Sequence, residues 1–390
     1  MKKILYLTFD GVLEPLGYSQ VISYLKNLSH KNKITIISIE KNKDLLSVEH
    51  KNKINNILKE NNISWKYFCY SKKNIFKIFL VFKLFFYIYF EILVKKNKII
   101  HCRSYVMGFI AYILSFFLNF SFIFDIRGFW IEERVEWGLW KKNNFKYKFF
   151  KFFENKIYSK SKAIVTLTTD AKKEILLKKI KNVKNENIYI IPTSVKLNNK
   201  SLINYDHKLI NFTHLGAIGS RYNFDIYLKI LSQLKKNRKI FLSIINKDEH
   251  NSIKILLNKY KFTNSEFEIK YIPPYNVSSQ IIKSNFGMFF PISGYYLKAY
   301  FPTKLGEFIS NGIPVITSRI NNHVDELIIR NNIGIIIDDF ENINYAKLNE
   351  KISYMISDKD VATRCLNVAR QSFDLNIACQ TYNNIYQSIK

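Results

Sequence analysis

Short unbroken apolar runs alternate with helix-period segments along almost the whole chain, and this constrains the fold more than any other feature. KILYLTF, KITIISI, IIHC, FSFIF, AIVTLT and IYIIPTSV are followed by LINFTHL, KIFLSII, FEIKYIPP, FGMFFPIS, IPVIT and IGIIID. Runs of this kind, rich in β-branched residues and without in/out alternation, suit strands covered on both faces. Helical stretches between them, such as Ser19 to Leu28, about 106 to 118 and AKKEILLKKI, supply the crossovers of parallel βαβ units. The expected class is α/β with doubly wound parallel sheets. A chain of 390 residues exceeds one ordinary core, and 47% apolar residues can fill two. The boundaries fall at residues 1–199 and 200–375, with a polar linker near Lys200 to His207 and a final helix, 376–390, that folds back over the first domain.

Composition then excludes several function classes. Cys69, Cys102, Cys365 and Cys379 form no CxxC and no ligand spacing with the histidines, so neither a zinc site nor a disulfide framework is indicated, and a reducing cytoplasm fits. The net charge of +29 invites nucleic acid as a partner, but no helix-turn-helix, zinc or RNP-like signature accompanies it, and none is expected to bind. MKKILYLTFDGV reads as a strand rather than a signal. Residues 104 to 124 carry no charge and are long enough to span a bilayer, yet they divide at LNFS into a helix-length and a strand-length piece. The stretch from Lys72 to Lys96 is aromatic and interrupted by Lys77, Lys83 and Glu91, which suits an amphipathic helix on an anionic membrane surface or a helix packed on its own sheet.

Open parallel sheets bind ligands at the carboxyl ends of their strands. The loops there are polar: DGVLEPLG holds Gly11 and Gly17, IIHC leads through His101 to Arg103, and FIFD leads to Arg127, Glu132 and Glu133. In the second half Gly216 precedes Arg221, and FPTKLGEFISNGIPVI reads as turn, helix, stop and strand. Lys304 stands in that helix's first turn, the wrong end for its dipole, and shares a face with Glu307. A cation beside free amides suits a phosphate, and a carboxylate suits sugar hydroxyls. A capping box from Thr303 would need Glu or Gln at 306, where the chain has Gly306.

With these residues in place, the chain resembles the GT-B glycosyltransferases and, within them, the retaining glycosyltransferase family 4 of surface-polysaccharide type. FPTKLGEFISNGIPVI and FDIRGFWIEERVEWGLW carry the likeness most strongly. The resemblance implies two Rossmann-like domains and an enzyme of the hexosyltransferase type. It would move a sugar, with retention, from a UDP- or GDP-linked donor to a glycan or lipid-linked acceptor in capsule, O-antigen or exopolysaccharide synthesis, on the inner face of the plasma membrane. Gly11, Gly17, Gly216, Arg221, Tyr300, Phe301, Thr303, Lys304 and Glu307 would hold the donor. Lys304, Arg103 and Arg127 would stabilise the reacting charges, and His101, Glu132 and Glu133 would line the acceptor side. No cofactor and no metal is expected, and Asp358-Lys359-Asp360, the only DxD match, reads as a chance match or a helix N-cap.

Three departures stand out. Ala299 occupies the place, eight before Glu307, where the family has a second glutamate; Arg103 replaces a histidine; and Ala217 replaces the arginine of a Gly-Arg pair. A sugar-nucleotide epimerase of the same fold, and a catalytically silent membrane scaffold, remain as alternatives.

Overall fold

The computed structural model describes residues 1–70, 74–197, 209–219 and 221–389; the expected linker at 200–207 lies outside them. The chain forms two compact units. The first comprises Met1–Pro192, Lys298–Tyr300 and Leu375–Lys390, and the second Thr193–Leu297 and Phe301–Asp374.

The first unit is built on seven parallel strands: β1 (Lys2–Thr8), β2 (Asn32–Lys41), β3 (Ser64–Tyr70), β4 (Ile99–Arg103), β5 (Ser121–Asp125), β6 (Ala163–Thr166) and β7 (Ile188–Ile190), in the order β3-β2-β1-β4-β5-β6-β7. Its helices are α1 (Ser23–Ser29), α2 (Val48–Glu60), α3 (Asn74–Lys95), α4 (Tyr105–Leu114), α5 (Trp130–Glu136), α6 (Phe145–Lys160) and α7 (Thr169–Leu177), with a last one, α14 (Leu375–Ser388), returning from the end of the chain. Alternate side chains of each strand serve opposite faces. Leu5, Leu7, Ile100 and Phe124 pack under α3, α4 and α6, whereas Ile4, Tyr6, Ile36 and Ile123 pack under α1, α2 and α14. Gly108 lets α4 lie close on β5, since a Cβ there would sit 2.7 Å from the Phe124 ring.

The uncharged stretch 104–124 resolves into α4 and β5, as its division at LNFS predicts, and among the described residues no helix is long and apolar enough to cross a membrane. β3 is absent from the sequence reading. It is an edge strand on which only Phe68 is buried, so the pattern of an internal strand never develops.

The second unit carries β8 (Ile210–Leu215), β9 (Ile240–Ile245), β10 (Phe267–Lys270), β11 (Phe286–Phe289), β12 (Val315–Ser318) and β13 (Gly334–Ile337) in the order β10-β9-β8-β11-β12-β13, all parallel. Its helices are α8 (Phe224–Leu234), α9 (His250–Lys259), α10 (Thr303–Ile309), α11 (Asn322–Arg330), α12 (Tyr345–Ser357) and α13 (Val361–Ser372). In each unit the strand order reverses beside the first strand, β1 or β8, and that switch point opens a crevice at the strands' carboxyl ends.

Candidate functional site

In the second unit, Gly216 ends β8 with φ +93°, a left-handed conformation that side chains rarely adopt, and its amide donates to the Ile245 carbonyl at 2.8 Å. The missing side chain matters as much as the angle. A Cβ on Gly216 would lie 3.3 Å from Cε of Lys304, so the lysine reaches across the glycine. Lys304 springs from the first turn of α10, whose N-cap Pro302 offers no side-chain cap. Its Nζ is buried, has no hydrogen-bond partner among the described residues, and lies 3.5 Å from the centroid of the Tyr222 ring. Burial pulls its pKa down to about 7, against the opposing pull of Glu307 and Glu249.

Glu307, one turn on, is pushed up to about 7 by burial and held back by Lys304. The pair is therefore desolvated and weakly compensated, a state that an arriving anion with hydroxyl groups would relieve. Around it, Ile218 N–H and Asn246 Nδ2 donate to Glu249 Oε2 at 2.8 and 2.9 Å, which ties the loop after β8 to the start of α9. Burial, then Lys304, hold His214 well below its ordinary value, so its ring is neutral.

α10 ends as its sequence predicts. Gly312, at φ +77°, closes the turn, with Ile313 N–H donating to Phe308 O at 3.1 Å. The glycine that spoils the capping box has its own reason: a Cβ on Gly306 would sit 2.4 Å from the Phe373 ring, so α10 can pack there only without one.

The other expected donor residues are placed along the same chain segments. Phe301 is fully buried against His323 and Phe373, at 5.2 and 5.0 Å between ring centroids. Thr303 opens α10, Arg221 is exposed, and Tyr300 falls in the first unit's part of the chain.

In the first unit, Gly17 allows a close crossing, because a Cβ there would lie 2.0 Å from the Gly11 carbonyl oxygen. Two of the loop's amides are engaged inside the unit. Val12 and Leu13 N–H donate to the Glu40 carboxylate at 2.9 and 3.2 Å. Burial raises the Glu40 pKa despite bonds from Ser38 and those two amides.

At the ends of β4 and β5 a buried polar cluster forms. Asp125 Oδ2 accepts from Tyr382 Oη at 2.9 Å, lies 3.1 Å from Arg127 Nε and 3.4 Å from His101 Nε2, while His101 Nδ1 meets Tyr386 Oη at 2.7 Å. Burial alone would raise the Asp125 pKa, but the Arg127 guanidinium and His101 hold it down to about 2. His101, lowered by burial against the pull of Asp125, is neutral. Both its nitrogens are engaged within the cluster. Arg103, also buried, donates from Nε to Asp10 Oδ2 at 3.2 Å.

Glu132 is not partnered with Arg127. It pairs with Lys151 at 2.9 Å and accepts from Tyr147 Oη at 3.1 Å. Glu133 lies against Gly128, where a Cβ would come within 3.2 Å of its Oε1. Asp358 pairs with Arg364 and accepts from the Asp360 amide at 2.9 Å, and Asp360 stands at the N-cap position of α13 without a side-chain cap bond.

Two units of this topology match solved structures over the full chain. A glycosyltransferase from Rickettsia africae superposes with a TM-score of 0.68 at 17% identity, covering 99% of this chain and 98% of that one. Anabaena HepE in complex with UDP and glucose gives 0.71 at 12%, with full coverage of both chains. Sucrose-phosphate synthase from Thermosynechococcus elongatus gives 0.73 at 11%, covering 100% and 99%.

The fold is GT-B. Residues 231–376 in addition match the model of the glucosyltransferase 3-like C-terminal domain, so the chain carries a glycosyltransferase domain. No curated protein matches it by sequence.

Proposed function

We propose that the protein transfers a sugar, with retention, from a UDP- or GDP-linked donor to a glycan or lipid-linked acceptor in surface-polysaccharide synthesis, working on the inner face of the plasma membrane. One observation carries the donor reading: Lys304 holds a buried ammonium with no hydrogen-bond partner among the described residues, beside Gly216 and one turn from Glu307. Such a charge is expensive in the empty protein and becomes paired when a diphosphate enters. On this reading Lys304 stabilises the leaving diphosphate and Glu307 accepts hydrogen bonds from the ribose. Arg103 and Arg127 act from the first unit's strand ends on the sugar or acceptor. The departing phosphate itself assists deprotonation of the acceptor, and no metal or cofactor is required.

The HepE structure holds UDP and glucose, which favours a UDP-sugar among the candidates. Thermal shift across UDP-, GDP- and ADP-sugars tests the reading, followed by product anomer analysis by NMR. One nucleotide series should raise the melting temperature and support transfer to an acceptor. No shift with any series would overturn the donor site, conversion of the donor without acceptor would make the protein an epimerase, and an inverted product would overturn retention.

A further inference from the structure

α3 packs inward through Leu80, Leu84, Ile88 and Ile92, spaced to form one stripe. The opposite stripe should be polar. Instead it carries Phe79, Phe82, Phe86, Phe90 and Leu93, each more than half exposed. A second helix repeats the pattern, with Phe145, Phe149 and Phe152 outward on α6, of which Phe145 is 79% exposed. α4 packs against both α3 and α6 on the same face of the sheet and brings Phe116, just beyond its end, to the surface. Ring contacts run from Phe145 through Phe149 and Phe153 to Tyr112 and Phe116 at 4.6 to 6.1 Å, so α4 and α6 share one aromatic surface. Exposed apolar area of this extent marks an interaction site.

Charge selects the partner. Residues 71–103 and 141–162 contain fifteen lysines and two acidic residues, Glu91 and Glu154. Both acids are buried: Glu91 pairs with Lys95, and Glu154 with Lys151 and Lys178 at 2.8 and 2.6 Å. Lys83, Lys146, Lys148, Lys156 and Lys160 are exposed among the rings, and Lys156 and Lys160 lie 5.2 and 5.7 Å from the rings of Phe152 and Phe116. Exposed aromatic rings interleaved with uncompensated lysines fit the headgroup region of an anionic bilayer, where rings enter the acyl boundary and ammonium groups remain at the phosphates.

We propose that the outer faces of α3 and α6, with Phe116 between them, form one surface that docks the protein on an anionic lipid bilayer. It makes the membrane part of the functional reading specific, and it stands apart from the donor site.

Cosedimentation with vesicles of phosphatidylglycerol and phosphatidylcholine, and with phosphatidylcholine alone, tests it. The protein should pellet with the anionic vesicles at low salt. Lys146→Gln with Lys148→Gln should lower partitioning by about tenfold or more. Phe82→Ser, Phe86→Ser, Phe145→Ser and Phe152→Ser together should abolish the remainder that survives added salt. Because all these side chains are exposed, melting temperature and transfer to a water-soluble acceptor should be unchanged, which separates a failed docking surface from a failed donor site. Wild-type protein that ignores anionic vesicles, variants that pellet undiminished, or binding that resists alkaline carbonate would overturn the proposal. So would a lipid-free dimer that the aromatic variant splits while the wild type ignores vesicles.

Discussion

Replacing Lys304 by alanine should leave the empty protein as stable as before while removing most of its turnover. A lysine pKa displaced from 10.5 to about 7 sets an upper bound of about 4 to 5 kcal/mol on the penalty for burying the charge. Relaxation and the field of Glu307 share that penalty, so about half is a reasonable working figure. Against this relief, alanine gives up a cation–π contact with Tyr222 worth about 1 kcal/mol or more. It also gives up the stem's packing over Gly216, about 1 to 2 kcal/mol.

The two sides nearly cancel, so stability should change by less than about 1 kcal/mol, where truncating a long buried side chain ordinarily loses 2 to 5. The sign of the pH dependence adds a second check. Between about pH 7 and 10.5 the unfolded chain binds a proton at Lys304 that the folded one sheds, so this group makes wild-type stability rise with pH across that window. The variant should lose that rise. Urea denaturation at pH 7 and 9, nucleotide-induced thermal shift and steady-state kinetics provide the assay. Turnover should fall by about a hundred- to a thousandfold, more than donor affinity, because diphosphate charge grows in the transition state. Loss of more than about 2 kcal/mol from the empty protein, or intact turnover, would refute the reasoning.

Other expectations follow from the same geometry. Glu307→Gln should lower kcat/KM by about ten- to a hundredfold with a direct loss of donor affinity, measurable by titration calorimetry. Gly216→Ala forces a side chain into a left-handed backbone position and against Lys304, so it should reduce both stability and nucleotide response; an unaltered thermal shift would contradict the assignment. Asp125→Asn strands the buried Arg127 charge and should destabilise by about 3 to 5 kcal/mol. The Asp125 carboxyl, held at about 2 against an ordinary 3.8, contributes stability that is complete above about pH 4 and is lost as the pH falls toward 2. The variant's acid-unfolding profile should lack that component.

What the sequence made legible has a physical pattern. Parallel strands covered on both faces are written as continuous apolar runs, so IPVIT and IGIIID could be placed without knowing their neighbours. β3, half exposed at an edge, lacks that signature. α6 is so dense in Phe and Lys that neither helical face stands out in the string KYKFFKFFENK. Lys304 and Glu307 were visible because a charge opposing its own helix dipole needs a reason. Tyr222 and Glu249 were not, since each reaches Lys304 from another loop, and only the fold of the sheet brings them near. Tyr386 was hidden for the same reason, since it meets His101 Nδ1 from 285 residues later in the chain.

That late partner carries a consequence for biosynthesis. The face of the first sheet lined by Ile4, Tyr6, Ile36 and Ile123 is covered in part by Leu375, Ala378, Tyr382 and Tyr386 of α14. Those residues leave the ribosome only after the whole second unit has been translated. At ordinary elongation rates the interval is roughly ten to forty seconds, during which the nascent first unit presents an apolar strip and an Asp125 carboxylate lacking its tyrosine. A chaperone has a natural client window there, and a premature stop codon ahead of the segment that encodes α14 would strike the first unit, which is otherwise fully translated.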